Sequence, residues 1–137
     1  MALTANTVKQ SMSVVNIASF FLTTDATAAV KTYFHCGFLP RVVRFINLTD
    51  RIEDEFFAGM TADYALHSVA AGDKTFVTSG GITLEDGVAV SVANSVVMPD
   101  GALVLAPASG SVQYVQGFSV PAALMVASKS FAVVAMS

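Results

Sequence analysis

Residues 37–55 read GFLPRVVRFINLTDRIEDE. Gly37 closes the run before it, and Pro40 opens the next at a strand start, where a missing N–H is tolerated. Val42, Val43, Phe45, Ile46 and Leu48 then follow at strand-like density. In an extended chain Arg44, Ile46 and Leu48 share one side, while Arg41, Val43, Phe45 and Asn47 share the other. Neither side is uniformly polar, which predicts a central strand whose arginines reach a rim. An acidic patch follows at once: Asp50, Glu53, Asp54 and Glu55. Ile52, Phe56 and Met60 fit a helical stripe, and the alternation of Glu53, Glu55 and Phe57 fits a strand equally well. The strand reading is preferred.

Upstream, Val30, Thr32, Phe34 and Cys36 alternate with Lys31, Tyr33 and His35, which predicts a half-buried strand with its polar face outward. Downstream, turn signals recur at Gly72-Asp73, Gly80-Gly81, Asp86-Gly87, Asp100-Gly101, Ser109-Gly110 and Gly117. Between them lie short β-rich runs: 75–78, 82–84, 88–92, 103–105 and 112–115. Residues 124–136 read as a hairpin turning at Ser128-Lys129-Ser130. Many short strands separated by glycine turns predict eight to ten strands, little helix, and a sandwich or barrel. The expectation is an all-β protein: one β-sandwich or jelly-roll-like domain over residues 17–137, with residues 1–16 as an N-terminal arm lacking the body's alternation.

The 137 residues suffice for one domain with one core. Charged residues are 12% and hydrophobic ones 54%, against about 25% and 45–50% in ordinary soluble domains. Mean hydropathy is +0.65. Such a chain would expose large apolar patches as a monomer, and patches of that kind mark interfaces. From Gly101 to the end, Lys129 is the one charged side chain. An obligate homo-oligomer, a trimer, is expected. A net charge of −3 argues against nucleic acid as a partner. Pro107, Gly110, Gly117 and Pro121 interrupt every C-terminal candidate for a membrane helix. Residues 14–22 imitate a signal peptide after Lys9, but Asn16 and Ser19 break the apolar run. A non-exported product without a signal peptide or membrane contact is expected.

Little in the sequence carries chemistry. His35 and Cys36 are adjacent in a strand and point to opposite faces, so they cannot share a metal, and no Cys/His spacing resembles a zinc site. Cys36, the single cysteine, reads as a small buried hydrophobe, although a thiol paired with His67 is formally possible. Glu53 and Glu55 would lie on one strand face, which suits a solvated or arginine-facing position rather than two carboxyls across a cleft. Gly80-Gly81 and Asp86-Gly87 read as hairpin turns and lack the context of a phosphate loop. No enzyme, cofactor or metal is expected.

The pattern Gly37-Phe38-x-Pro40-Arg41-x-Val43, then Asn47-x-Thr49, then an acidic aromatic strand ending Phe57-x-Gly59-Met60, resembles small structural proteins of tailed bacteriophages. Gly117-Phe118-Ser119-Val120 before a small-residue stretch and a final strand over 131–136 is similar as well. The resemblance spans residues 29–136. It implies a non-enzymatic virion component assembled in the host cytoplasm, in particular a head decoration (cement) protein on the outer capsid. A tail, baseplate or fibre-associated protein contacting the host surface is the alternative. Partners would be copies of itself and the major capsid protein. Arg41 and Arg44 would neutralise nearby acids where a strand end is covered, so Arg41, Arg44, Asp50, Glu53, Glu55 and Phe56 are the candidate interface residues.

Overall fold

Val43 and Phe45 point inward and Arg44 outward from a strand that is hydrogen-bonded on both sides, and the other described strands extend the sheet from it in both directions. The computed structural model describes residues 16–27, 30–90, 95–97, 103–104 and 113–137. The arm expected over 1–16 lies outside them except for Asn16, as do the Asp100-Gly101 and Ser109-Gly110 turns. The described strands are β1 (Ile17–Thr23), β2 (Thr32–His35), β3 (Val42–Asn47), β4 (Ile52–Phe57), β5 (Tyr64–Ser68), β6 (Lys74–Val90), β7 (Ser95–Val97), β8 (Leu103–Val104), β9 (Gln113–Val120) and β10 (Ser130–Met136). No helix occurs among the described residues. The acidic stretch is β4, so the alternation of Glu53, Glu55 and Phe57 prevails over the helical stripe.

These strands form one sheet in the order β1-β10-β3-β4-β5-β6-β9-β2-β7-β8. All described pairs are antiparallel except β2 with β7. β6 is the corner. Its first part pairs with β5 as far as Ile82, and its second pairs with β9 from Thr83 onward. A strand that changes partners midway lets the sheet curl until its two halves face each other, as in sandwich and jelly-roll-like folds. The expected all-β, sandwich-like architecture is what the chain forms.

Phenylalanines meet where the halves face. Phe34 of β2 stacks on Phe118 of β9, with centroids 4.8 Å apart and planes 4° apart. Edge-on to Phe34 stand Phe20 of β1 at 5.3 Å and Phe45 of β3 at 6.4 Å, and Phe45 packs on Phe131 of β10 at 5.0 Å. Val43, Phe56, Ile82, Val120, Val133 and Ala135 complete this core. Aromatic pairs in these geometries add about 0.5–1.5 kcal/mol each beyond area burial.

Several local expectations are corrected. β2 is not polar on its second face: Tyr33 is buried with Val90, Val96 and Val115 in a second apolar cluster, because β2 lies between β9 and β7 rather than at an edge. Gly80-Gly81 and Asp86-Gly87 do not reverse the chain. Both lie inside β6, at or beside register shifts. Gly87 has a φ of +68°, a left-handed value that lets the strand bulge and bend there. Gly80 and Gly81 are held by Asp63, whose carboxylate and carbonyl accept their N–H groups at 3.1 and 2.8 Å. Gly117 is no turn either, and lies within β9. Residues 124–136 are not a hairpin: hydrogen-bonded turns at Pro121–Leu124 and Ala122–Met125 lead into the single strand β10. Of the glycine turn signals among the described residues, Gly72-Asp73 alone joins two strands, β5 and β6.

Candidate functional site

The outward residues of the β1-β10-β3-β4-β5-β6 half form cross-strand rows fixed by the register. The first row is Ile17, Met136, Val42 and Phe57. The second is Ser19, Val134, Arg44, Glu55, Leu66 and Phe76. The third is Phe21, Ala132, Ile46, Glu53, Ser68 and Lys74. Most of these side chains are apolar. Ile17, Phe21 and Phe76 are 64%, 69% and 54% exposed, and Tyr64 meets Phe76 edge-on at 5.3 Å. A soluble sheet ordinarily carries polar residues on its open face. Exposed apolar side chains therefore flank a charged centre on this face, and apolar exposure of this extent is common at contact surfaces.

Charge on this face is gathered near its centre. Arg44 Nε donates to Glu53 Oε1 at 2.7 Å. Glu55 stands directly across from Arg44 on β4. Glu53, and secondarily Glu55, hold the guanidinium more firmly protonated than an ordinary arginine. Among the described residues, Glu55's carboxylate accepts no hydrogen bond, and Arg44 uses only one of its five donors. Ser68 Oγ is buried without a hydrogen-bond partner.

The inner side of the same strands carries a second polar feature. Asp54 and His67 are cross-strand partners on β4 and β5, and His67 Nδ1 lies 2.8 Å from Asp54 Oδ1. Burial raises the Asp54 pKa above its ordinary 3.8, and the His67 hydrogen bond and charge offset this in part. The pair lines a small cleft of about 160 Å3 together with Phe45, Ile52, Leu124 and Val126. At its rim Asp50 accepts from Asn47 Nδ2 and Lys129 Nζ, each at 3.0 Å. Asn47 Oδ1 accepts the Asp50 N–H at 2.9 Å, which closes the β3–β4 turn. The pair can hold a proton, but no hydroxyl or thiol among the described residues lines the cleft as a nucleophile. No group of three or more potential metal ligands occurs among the described residues.

The six candidate interface residues therefore separate. Arg44, Glu53 and Glu55 come together on the open face. Arg41 precedes β3 and is exposed, its N–H donating to the Met136 carbonyl at 2.7 Å. Asp50 belongs to the cleft rim. Phe56 is 2% exposed in the core and cannot meet a partner; alternation gives the outward place to Phe57. Asp54, grouped by sequence with its acidic neighbours, faces inward. Its pairing with His67 was the feature sequence reasoning missed, and only the β4–β5 register could have revealed it. Cys36 packs against the core rather than lining the cleft, with its thiol pKa pushed up to about 12 by burial. His35 Nδ1 accepts the Gln116 N–H at 3.1 Å.

No family model matches the chain, and neither a curated protein nor a solved structure does.

Proposed function

We propose that this chain is a non-enzymatic structural protein of a tailed-bacteriophage virion, of the head decoration type, which self-associates and binds the capsid shell. The observation that carries the reading is the apolar outer face of the β1-β10-β3-β4-β5-β6 half, with its charges confined to Arg44, Glu53, Glu55 and Lys74. A clamp protein works by covering area, and a sheet face does this without moving parts. The resemblance of residues 29–136 to phage structural proteins supplies the virion context. The low charge content of the whole chain agrees with a protein largely covered in its working state.

The reading is tested by a cryo-electron-microscopy map of the virion whose genome encodes the chain. Density matching the curled ten-stranded sheet on the outer head surface, in contact with the major capsid protein, is the expected result. Density confined to the tail or baseplate, or absence of the chain from purified virions, would overturn it.

A further inference from the structure

We infer that β1 pairs edge to edge and antiparallel with β1 of a second copy, about a two-fold axis that stands perpendicular to the sheet beside Phe20. This deepens the self-association in the proposed function and names the element that carries it.

β1 ends the described strand order and is bonded to β10 on one side. The direction of its hydrogen bonds follows from its two ends. Ser137 N–H donates to the Asn16 carbonyl and Thr24 N–H to the Lys129 carbonyl, each at 2.9 Å. In an antiparallel ladder every second residue bonds to the same neighbour, so the even-numbered residues of β1 face β10. The N–H and C=O groups of Ile17, Ser19, Phe21 and Thr23 therefore point off the sheet, and no described strand meets them.

Nothing on this strand discourages a partner. Sheet edges are ordinarily blunted by charge, proline, a bulge or short length. β1 has seven residues, IASFFLT, with no charged residue and no proline. Its register with β10 runs unbroken from Ile17 to Thr23. The two most exposed large apolar side chains among the described residues also lie here, Phe21 at 69% and Ile17 at 64%. β8, at the opposite end of the order, spans only Leu103–Val104.

The strand's own sequence names the occupant. A register centred on Phe20 matches all seven residues of one copy with all seven of the other. It sets odd-numbered residues opposite odd-numbered ones, as the outward-pointing groups require, and each such pair exchanges two backbone hydrogen bonds. Ile17 faces Thr23, both β-branched. Ser19 faces Phe21 and Ala18 faces Leu22, small against large each time, and Phe20 faces its own copy. Just beyond, Asn16 faces Thr24, polar against polar. No pair sets a charge against an apolar group or against a like charge.

Because the axis is perpendicular to the sheet, the inward residues of both copies stay on one side and the outward residues on the other. The six strands of each outer face join in one continuous surface. Reciprocal contacts of this sort define an isologous interface, which closes at two copies, in place of the trimer expected from composition. A single strand edge is smaller than a standard interface, so the dimer is reversible and forms as concentration rises.

The experiment is sedimentation equilibrium of the purified full chain from low micromolar to near-millimolar concentration. Wild type is expected to pass from monomer to dimer across that range. Ser19→Pro removes an N–H that points away from β10, so the chain's own ladder survives. It takes one hydrogen bond per copy out of the contact and should weaken association about tenfold or more, with circular dichroism unchanged. Combining Ser19→Cys with Phe21→Cys sets thiols opposite each other at about 5.5 Å between Cα atoms, within disulfide reach. Mild oxidation of that variant should give a covalent dimer that reduction reverses. Should Ser19→Pro fail to fold, this pair of exposed substitutions carries the test. A wild-type monomer at every concentration, a higher oligomer, a folded Ser19→Pro variant that associates like wild type, or a folded variant with both cysteines that gives no covalent dimer would each overturn the inference. A dimer formed by a chain absent from virion heads would overturn the virion reading and leave this one standing.

Discussion

Asp54 and His67 face each other across β4 and β5 at 2.8 Å, on the side of the sheet opposite the one that exposes Glu53 and Glu55. One residue of offset therefore separates a buried acid from two open ones within a single strand. Burial raises the Asp54 pKa, so the folded chain holds that proton more tightly than the unfolded chain does. Its ionised form weighs against the fold at neutral pH. That burden lifts as pH falls through the raised pKa and is gone below the ordinary value of 3.8. In urea titrations from about pH 7 to about pH 3.5, wild-type stability measured against Asp54→Asn should rise on acidification and then level off. A difference that falls on acidification would mean that the attraction of His67 outweighs burial.

Gly117 lies in β9 against β2, where a Cβ would collide with the Phe34 carbonyl oxygen and crowd the Cys36 backbone N at 3.0 Å. Both neighbours are main chain, so neither can swing aside. Just beyond, the Cys36 and Gly37 N–H groups both donate to the Gln116 carbonyl, at 2.9 and 3.0 Å. Gly117→Ala should destabilise the fold by about 2–3 kcal/mol, read as a lower denaturation midpoint. A midpoint equal to wild type would show that β2 can retreat.

Strand content and fold class were legible because they rest on local patterning. Val43, Phe45 and Asn47 alternate with Arg44 and Ile46, and the structure keeps that division on β3. What failed was the meaning of glycine. Gly80, Gly87 and Gly117 carry the same turn signal as Gly72, yet they serve bulges and a close backbone approach inside strands. The difference lies in which strand passes alongside, information held by distant residues. β1 was hidden for a related reason: its Ile17–Thr23 run resembles a spoiled leader until β10 gives it a partner. The Arg44–Glu53 pairing was half legible, since both faces could be read but the register could not. The Tyr33 cluster was invisible, because burial of a second face depends on sheet order.

Ser68 carries a hydroxyl oxygen that is buried and unpartnered. Desolvating a hydroxyl without a replacement bond costs about 1–3 kcal/mol, and alanine keeps the backbone pairing with Glu53 and Lys74. Ser68→Ala should leave the protein equally stable or more stable by up to about 1 kcal/mol. A loss of stability in thermal unfolding would reveal a bond that the hydroxyl makes.

Cys36 packs against the main core, and burial moves its pKa from 9.0 to about 12. Since only the thiolate reacts, the native chain should be alkylated by iodoacetamide on the order of 10²–10³-fold more slowly than the urea-unfolded chain. Comparable rates at mildly alkaline pH would place the thiol in solvent and return it to consideration as a reactive group.

Phe34 and Phe21 separate the two faces most directly. Phe34 is fully buried against Phe118, Phe20 and Phe45, so Phe34→Ala removes a ring that no neighbour can replace and should cost about 3–5 kcal/mol. Phe21 is two-thirds exposed on the β1 edge. Within a single copy Phe21→Ala removes almost no packing and should change unfolding free energy by less than about 0.5 kcal/mol. Measured by chemical denaturation at low protein concentration, the two variants should therefore differ several-fold. Equal losses would mean that Phe21 packs within its own chain, and the outer face would then be smaller than the register implies. A small loss for Phe34→Ala would place the true core elsewhere and undo the facing of the two halves.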